Sequence, residues 1–286
     1  MIVTRFAPSP TGYLHLGHAF AALTAHDTAM RAGGHFLLRI EDIDSGRCRP
    51  EFEEAILEDL HWLRLTWSTP VLRQSARGDA YRGALERLDA AGLVYPCFCT
   101  RKEIAEEVAR SIEAPHNMAL GSEGPIYPGT CRNLPLHVRR ERMTREPYAL
   151  RLDMARAIKC SGPLIFEEQG AGPGGERGVI TAEPALFGDI VLARKDMPAA
   201  YHLAVVVDDA YQGVTLVTRG NDLFAAAHVQ RLLQALLDLP VPRYAHHRLI
   251  LDETGRKFSK RDQSVTLSAL RASGVTPAEI RKRLAL

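Results

Sequence analysis

The sequence predicts an α/β fold with a parallel sheet, and three observations support this prediction. Short apolar, β-branched runs alternate with amphipathic runs over the first 63 residues, an order that is typical of parallel α/β sheets. Hydrophobic residues make up 46% of the chain, so a sizeable core can form. Charged residues make up 24%, and the two fractions together exclude a disordered, collagenous or coiled-coil protein.

Each of the first four elements has a local signal. We predict a buried strand at 2–7, because its β-branched run ends in the turn Pro-Ser-Pro-Thr-Gly. A helix is expected over 15–32, where apolar residues recur at three- and four-residue steps before a Gly-Gly pair. A second strand is predicted at 35–40 and a second helix at 50–63.

The middle of the chain changes character near residue 94. From there to about residue 190 it is rich in Arg, Pro and Gly. A helix is predicted over 101–112, and the Gly-rich stretch 170–178 can only form a loop. We interpret 94–190 as an insertion between two halves of the sheet.

The α/β pattern resumes after the insertion, with apolar runs at 203–207 and 214–218. An amphipathic helix is predicted over 222–237 and a strand at 248–251. The tail should hold two short helices, the second starting at Thr276-Pro277, because proline suits the first helical turn. The predicted domains are a discontinuous α/β domain of 1–93 and 191–261, the insertion 94–190 and a short helical tail of 262–286.

The net charge of the chain does not indicate a binding partner, whereas local clusters of basic residues are more informative. Lys plus Arg is 36 against 34 for Asp plus Glu, a net charge of +2. Seven arginines lie between Arg132 and Arg156 against three acids, and the tail adds a basic group at 281–283. Such clusters suit contacts with a phosphate backbone, although solvated helix faces would look the same.

Neither a membrane span nor a secretion signal is expected. No apolar stretch reaches 18 residues, and the N-terminus has no apolar segment behind a basic patch. We therefore expect a cytoplasmic protein with no membrane partner, and separately we expect a monomer. Its five cysteines suit a metal or the core better than disulfides, and Cys48 and Cys160 are interpreted as plain thiols.

Two short motifs could hold a nucleoside triphosphate. His-Leu-Gly-His at 15–18 lies between the first strand and the first helix, where a helix N-terminus offers free N–H groups to phosphate and a glycine lets a flat base approach. Lys-Phe-Ser-Lys-Arg at 257–261 places three cations in one loop, which suits a polyphosphate. Taken singly, each pattern is more often an exposed turn or a solvated loop.

In combination, the two motifs resemble those of the class I aminoacyl-tRNA synthetases, which have the forms His-Ile-Gly-His and Lys-Met-Ser-Lys-Ser. The glutamyl branch of that family has similar short segments to those found here at 5–12, 38–44, 201–209 and 217–220. The resemblance therefore covers nearly the whole chain. It implies a Rossmann-like catalytic sheet interrupted by a zinc-binding insertion. Leu in place of Ile in the first motif is a mild change, and Arg261 replaces the final Ser of the second.

The resemblance also implies roles at the ATP site. His15 and His18 would donate to the α-phosphate of ATP while the α-carboxylate of glutamate attacks it in line. Lys260 would hold the departing pyrophosphate, together with Mg²⁺. Gly17, Lys257, Ser259 and Lys260 would contact ATP.

A glutamate pocket makes chemical sense from the residues themselves. Two carboxylates need cations, which Arg5 and Arg219 at strand ends can supply, and Glu41 can meet the ammonium. Ordinary surface ion pairs are the alternative. The resemblance implies that the amino-acid pocket is lined by Arg5, Ala7, Ser9, Glu41, Tyr201 and Arg219.

A metal site is predicted in the insertion. The thiolates of Cys97, Cys99 and Cys131 with a fourth group suit tetrahedral zinc, whereas buried thiols without a metal are the alternative. The resemblance implies one structural Zn²⁺ per chain with Tyr127 as the fourth ligand, because small members of the branch carry Cys-x-Cys and Tyr-x₃-Cys there. His116 is a chemical alternative for the fourth position.

The end of the chain narrows the expected function. Only 25 residues follow Arg261, which leaves no room for a helical anticodon-binding region. The chain thus resembles short members of the branch, and this implies ATP-dependent, tRNA-independent activation of L-glutamate and its transfer to queuosine in the anticodon loop of tRNA(Asp). A truncated glutamyl-tRNA synthetase charging the 3′ end, or a non-catalytic relative that binds adenylate or RNA, are the alternatives.

Overall fold

A computed structural model describes most of the chain. The described residues are 1–112, 120–121, 124–195, 197–251 and 265–286. Among them, no helix combines the length and the apolar character that crossing a bilayer requires.

The first sheet confirms the strand–helix–strand–helix prediction. It has three parallel strands in the order β1 (Val3–Phe6), β2 (His35–Ile40) and β3 (Ser68–Arg73). Helix α1 (Leu16–Arg31) connects β1 to β2, and α2 (Pro50–Trp62) connects β2 to β3. Because β1 and β2 are parallel, their carboxyl ends meet at one edge, where the first motif begins.

The second sheet completes the α/β layer. Strands β11 (Leu216–Gly220), β12 (Arg243–His247) and β8 (Ile165–Glu168) are parallel, and β9 (Gly178–Thr181) pairs with β8 in the antiparallel sense. The amide of Thr215, just before β11, donates to the carbonyl of Val3 at 3.0 Å. This bond sets β11 beside β1, so the two sheets meet edge to edge.

The insertion has a sheet of its own. Its three antiparallel strands run in the order β10 (Val191–Arg194), β7 (Ala149–Leu152) and β4 (Val94–Cys97). Helix α3 (Gly78–Ala90) precedes the insertion, and the further elements of the insertion include α4 (Arg101–Ile112), β5 (Leu120–Gly121), β6 (Gly124–Pro125), α5 (Leu136–Arg145) and α6 (Met154–Ser161).

Strand pairing crosses the predicted boundaries of the insertion at two points. β8 lies inside 94–190 but pairs with β12 of the α/β layer, whereas β10 lies just outside and pairs with β7. The Gly-rich loop between β8 and β9 has the composition of a linker, so composition could not show which sheet its flanking strands join.

In the last third of the chain, the structure assigns an apolar run that the sequence left unassigned and moves one predicted strand. The apolar run 203–207 lies in a helix, α7 (Tyr201–Tyr211), and helix α8 (Ala226–Leu236) follows β11. The strand predicted at 248–251 is wrong in position: the strand is β12, at 243–247. Its alternating pattern buries Tyr244 and His246, and a buried histidine does not count as apolar in a hydrophobic pattern.

The two predicted tail helices are present, and they pack against the helices of the first sheet. They are α9 (Leu267–Ala272) and α10 (Pro277–Leu284). Leu267 and Ile280 are buried in the same apolar core as Phe20 of α1. Arg281 makes a two-pronged ion pair with Asp27 at 2.6 and 2.9 Å, which fixes α10 on α1.

Candidate active site and metal centre

The first motif forms the N-terminus of α1. His15 is the N-cap, and its Nδ1 accepts from the amide of Gly17 at 3.2 Å. The Nδ1 of His18 accepts in turn from the amide of His15 at 3.2 Å, which completes a capping box. The two rings lie against each other, with centroids 3.7 Å apart.

These bonds define what the two histidines can offer to a ligand. A ring nitrogen that accepts a hydrogen bond carries no hydrogen, so in the neutral ring the hydrogen lies on Nε2. Both His15 and His18 therefore have Nε2–H donors at a helix N-terminus, where the macrodipole also favours an anion. This arrangement suits the phosphate contacts that the sequence predicts.

Gly17 lies close to the ring of His15. A Cβ at position 17 would lie 3.1 Å from Cε1 and 3.2 Å from Nδ1 of His15. The sequence predicted that this glycine lets a base approach. That role stays a prediction, and the contact adds that the glycine also makes room for the ring of His15.

Arg5 is the first predicted glutamate ligand, and it lies in a buried ionic network. Its Nε donates to Oδ1 of Asp209 at 3.1 Å, and Nη1 of Arg39 donates to the same oxygen at 2.7 Å. Nη2 of Arg39 reaches Oε1 of Glu41 at 3.2 Å. Arg5 and Glu41 are thus linked through two residues, Asp209 and Arg39, that were not predicted as site residues.

The pKa values of the two carboxyl groups in this network, those of Asp209 and Glu41, are shifted in opposite directions. Burial alone would raise the pKa of Asp209, but the charges of Arg5 and Arg39 outweigh it and hold this pKa below its ordinary value. Burial raises the pKa of Glu41 despite the opposing charges of Arg39 and Arg5. A buried carboxylate of this kind gains most from an arriving ammonium group, which is the role predicted for Glu41.

A cleft of about 520 Å³ separates the α/β layer from the insertion. Ser9, Glu41 and Tyr201 line it on one side, and Tyr127 and Arg151 line it on the other. Three predicted glutamate ligands therefore share one cavity, which also touches the predicted metal site. The half-buried residue that follows β1, Ala7, is not among the lining residues that the structure describes.

Arg219 lies at the carboxyl end of β11 and approaches the cleft through Tyr201. Its Nη1 is 3.4 Å from the hydroxyl oxygen of Tyr201 and 2.9 Å from Oε1 of Gln230. Its Nε donates to Nε2 of His246 at 3.0 Å. Neither Gln230 nor His246 was predicted as a site residue, because both are brought in by neighbouring elements.

The predicted metal ligands converge. The sulfur atoms of Cys97, Cys99 and Cys131 lie within 4.8 Å of one another, and those of Cys99 and Cys131 are 3.6 Å apart. The hydroxyl of Tyr127 is 3.5 Å from the Cys99 sulfur. Ligands about 2.3 Å from a tetrahedral zinc lie about 3.8 Å from one another, so these groups fit a zinc ion.

The electrostatics of the cluster also fit a cation. Burial, with the neighbouring sulfurs of Cys131 and Cys97, raises the pKa of Cys99 to about 12. Three crowded thiols cannot all ionise unless a positive charge stabilises them, and Zn²⁺ supplies such a charge. Among the described residues, this is the one group of three or more Cys, His, Asp or Glu side chains close enough to share a metal.

Part of the predicted site lies outside the described residues. The structure does not describe three predicted residues of the second motif, Lys257, Ser259 and Lys260. It also does not describe His116, the alternative fourth metal ligand. Their predicted roles stay predictions. The exposed Cys160 and the half-buried Cys48 are not part of the metal cluster.

Comparisons with known proteins point to one family. The family model for the catalytic domain of class I tRNA synthetases (E and Q) matches residues 1–286. A Rhodobacter capsulatus protein named glutamyl-Q tRNA(Asp) synthetase is 51% identical over the full length of both chains. A glutamate–tRNA ligase from Aquifex aeolicus is 38% identical over all of this chain, which covers 57% of that protein.

A solved structure agrees with the fold. The glutamate–tRNA synthetase from Elizabethkingia anophelis superposes with a TM-score of 0.76 at 30% identity, over 91% of this chain and 53% of the other. The present chain thus spans about half the length of that enzyme. On its sequence, its fold and its full-length match, the chain belongs to the class I tRNA synthetases of the glutamate and glutamine group and, within them, to the ligases of the glutamyl-Q tRNA(Asp) synthetase family.

Proposed function

We propose that the protein activates L-glutamate with ATP, without tRNA, and transfers the glutamyl group to queuosine in the anticodon loop of tRNA(Asp). The observation that carries this proposal is the 51% identity, over all of both chains, to a protein named glutamyl-Q tRNA(Asp) synthetase. The site geometry supports it residue by residue.

Glutamate is the substrate that best matches the charges around the cleft. Glu41, which lines the cleft, can meet the ammonium group of the substrate. The buried Arg5 and Arg219 are not among the described lining residues. Their hydrogen bonds lead to Glu41 and Tyr201 of the cleft, and we propose that they meet the two carboxylates of glutamate. Each arginine is held by fixed partners, so little side-chain entropy is lost on binding. In this proposal Arg5 recognises the side-chain carboxylate of the substrate.

Activation is an in-line displacement at phosphorus. A carboxylate oxygen of glutamate forms a bond to the α-phosphorus of ATP, and the bond from that phosphorus to the bridging oxygen of pyrophosphate breaks. His15 and His18 donate through Nε2–H to the α-phosphate oxygens as charge builds, and each such donor contributes about 3 kcal/mol. Lys260 is proposed to hold the leaving pyrophosphate.

Transfer is an acyl substitution. A hydroxyl of queuosine attacks the carbonyl carbon of the adenylate, loses its proton, and displaces AMP. Helix α5 is a candidate for the RNA contact, because it buries none of its side chains and exposes Arg140 and Arg145. Its exposed Leu136 and Met143 add apolar surface beside these charges.

Two metal ions have separate proposed roles. Mg²⁺ neutralises phosphate charge when it is bound with ATP. Zn²⁺ would be held by Cys97, Cys99, Cys131 and Tyr127, and it would cross-link two segments of the insertion and stiffen one wall of the cleft.

The Aquifex aeolicus match keeps one second candidate open. That protein is named glutamate–tRNA ligase. The whole of the present chain aligns with 57% of the Aquifex aeolicus protein. Such an activity would place glutamate on the 3′ end of a tRNA instead of on an anticodon nucleoside.

The activation step is tested by ATP–pyrophosphate exchange. Glutamate alone should support exchange without tRNA, and glutamine should not, because its neutral amide cannot form with the Arg5 guanidinium the charged pair that the side-chain carboxylate of glutamate forms. The variant Arg5→Ala should lose glutamate-dependent exchange. Arg82→Ala, which removes an exposed arginine from α3, serves as a control and should retain it.

Two results would contradict this proposal. Exchange with glutamine as fast as with glutamate would show that Arg5 does not select the side-chain carboxylate. Exchange that needs added tRNA would contradict tRNA-independent activation.

A further inference from the structure

A buried chain of polar side chains leads from Glu168 to Arg219. Oε2 of Glu168 lies 2.5 Å from Nδ1 of His246, and Nε2 of His246 accepts from Nε of Arg219 at 3.0 Å. Relative exposures of Glu168, His246 and Arg219 are 1%, 3% and 5%. Contacts this deep are shielded from water, so their donor and acceptor pattern is fixed.

The pattern admits one tautomer of His246. An arginine Nε–H can only donate, so Nε2 of His246 must be the acceptor. The ring hydrogen therefore lies on Nδ1 and is donated to Glu168. Burial lowers the pKa of His246, in agreement with a neutral ring.

Glu168 is itself fixed by the backbone. Its Oε1 accepts from the amide of His246 at 2.9 Å and from the amide of Gly170 at 2.8 Å. The carboxylate cannot rotate without breaking both bonds. Its position is thus set by β12 and by the loop after β8, independently of Arg219.

The far end of the chain has an unused donor. Nη2 of Arg219 is buried and has no hydrogen-bond partner in the part of the protein that the structure describes, whereas Nη1 reaches Gln230 and Tyr201. A buried guanidinium donor without an acceptor is unfavourable. An anionic oxygen supplied by a ligand would satisfy it.

We propose that Glu168 and His246 are positioning residues, which hold the guanidinium of Arg219 so that its free Nη2 meets a carboxylate of the glutamate substrate. This inference rests on the proposed function, since it takes glutamate as the ligand. It assigns a task to two residues that do not touch substrate themselves.

The sharpest test is Glu168→Gln, which keeps the shape of the side chain but reverses the direction of its hydrogen bond with Nδ1 of His246. The carbonyl of the new amide can still accept from the two backbone amides, so its NH₂ must face Nδ1 of His246. His246 then has to accept at Nδ1 and carry its hydrogen on Nε2, where it faces the Nε–H of Arg219. The opposite orientation of the amide would place its NH₂ group against two backbone N–H donors, which is less favourable than facing one ring nitrogen.

We expect this variant to raise the KM for glutamate roughly tenfold in pyrophosphate exchange, with the KM for ATP and the Tm nearly unchanged. Glu167→Gln is the matched control. Glu167 is the preceding residue of β8 and is exposed, so its substitution should change none of these values.

A second pair of variants covers the case in which Glu168→Gln folds poorly. His246→Gln keeps an acceptor for Arg219, whereas His246→Leu removes it. Glutamate KM should rise at least about fivefold more in the leucine variant than in the glutamine variant. In an Arg219→Lys background, which lacks Nε–H, Glu168→Gln should have little further effect on glutamate KM.

The inference is overturned if Glu168→Gln leaves glutamate KM unchanged. It is also overturned if glutamate KM, ATP KM and Tm all change together, since that is what a merely structural role predicts. Failure of the proposed function has a different signature: the unaltered protein would show no glutamate-dependent exchange at all.

Discussion

Arg5 is oriented by a carboxylate 204 positions further along the chain, that of Asp209. The sequence singles out Arg5, Glu41 and Arg219 as candidate glutamate ligands through the family resemblance and their strand-end positions, and these roles stay predictions. It could not identify Asp209, Glu168 or His246 as their partners, because such pairings arise only when distant strands meet. Residue chemistry was therefore readable from sequence, and residue partnership was not.

Adding one methyl group at Gly17 tests whether activation depends on the position of the His15 ring. In Gly17→Ala, the new Cβ would push the ring of His15 by a few tenths of an ångström. We expect kcat of exchange to fall roughly tenfold, because the Nε2–H donor moves off the phosphate. Stability should stay equal or rise, since alanine favours helix.

Gly83→Ala is the control for this change. Gly83 lies within α3, and a Cβ there meets no atom within 4 Å. Its substitution should leave kcat unaltered. A full rate in Gly17→Ala would show that the position of the His15 ring is not important for activation.

Asp59 predicts a pH dependence of stability. It is a fully buried residue of α2 whose two carboxylate oxygens have no hydrogen-bond partner among the described residues, and Arg271 is 3.8 Å away. Burial raises its pKa to about 6. A raised pKa means that its contribution to stability is complete below about pH 4 and is lost as pH rises through about 6.

Asp59→Asn removes this titration. Relative to the unaltered protein, the variant should gain stability on the order of 2 kcal/mol between about pH 4 and pH 7.5. Urea unfolding at the two pH values measures the gain, with the exposed Glu54→Gln as a control. Parallel stability curves for Asp59→Asn and the unaltered protein would contradict a raised pKa.

Elements were predicted best where local periodicity was strong. Helix α1, predicted over 15–32, lies at 16–31, and α4 matches 101–112. Strand β12 was misplaced because its buried face includes His246, whose burial depends on Glu168 and Arg219. The run 203–207 is apolar throughout, and such a run does not distinguish a buried strand from a buried helix.

The insertion should depend on zinc. Purified protein should contain about one zinc per chain, and chelation should increase hydrogen exchange in β4 before it does so in β1, because the metal joins Cys97 at the end of β4 to Cys131. Cys131→Ser should lose the metal. Cys160→Ser removes an exposed thiol and should keep it.

The measurement is elemental analysis of freshly purified protein. If no zinc is found and none is taken up on addition, the cluster is a set of buried thiols. Loss of zinc from the Cys160→Ser variant would place the metal elsewhere.

At the scale of the molecule, the cleft is where the two parts of the chain meet. The α/β layer supplies Glu41 and Tyr201, and the insertion supplies Tyr127. The tail is hydrogen-bonded to the residue before the first motif, with the amide of Leu267 2.8 Å from the carbonyl oxygen of Leu14. The sequence predicted the α/β layer and the insertion as separate units. The cleft between them could not be predicted, because no local pattern specifies how two sheets face each other.

The central claim is that glutamate is transferred to an anticodon nucleoside. The most direct test is to incubate the protein with ATP, labelled glutamate and unoxidised tRNA(Asp) with or without queuosine, because periodate would cleave the queuosine diol as well as the 3′-terminal diol. The label should appear on queuosine-containing tRNA(Asp) alone, and nuclease mapping should locate it in the anticodon loop. Label on the 3′ adenosine of unoxidised tRNA(Glu), whether or not queuosine is present, would contradict the account and favour a glutamate–tRNA ligase.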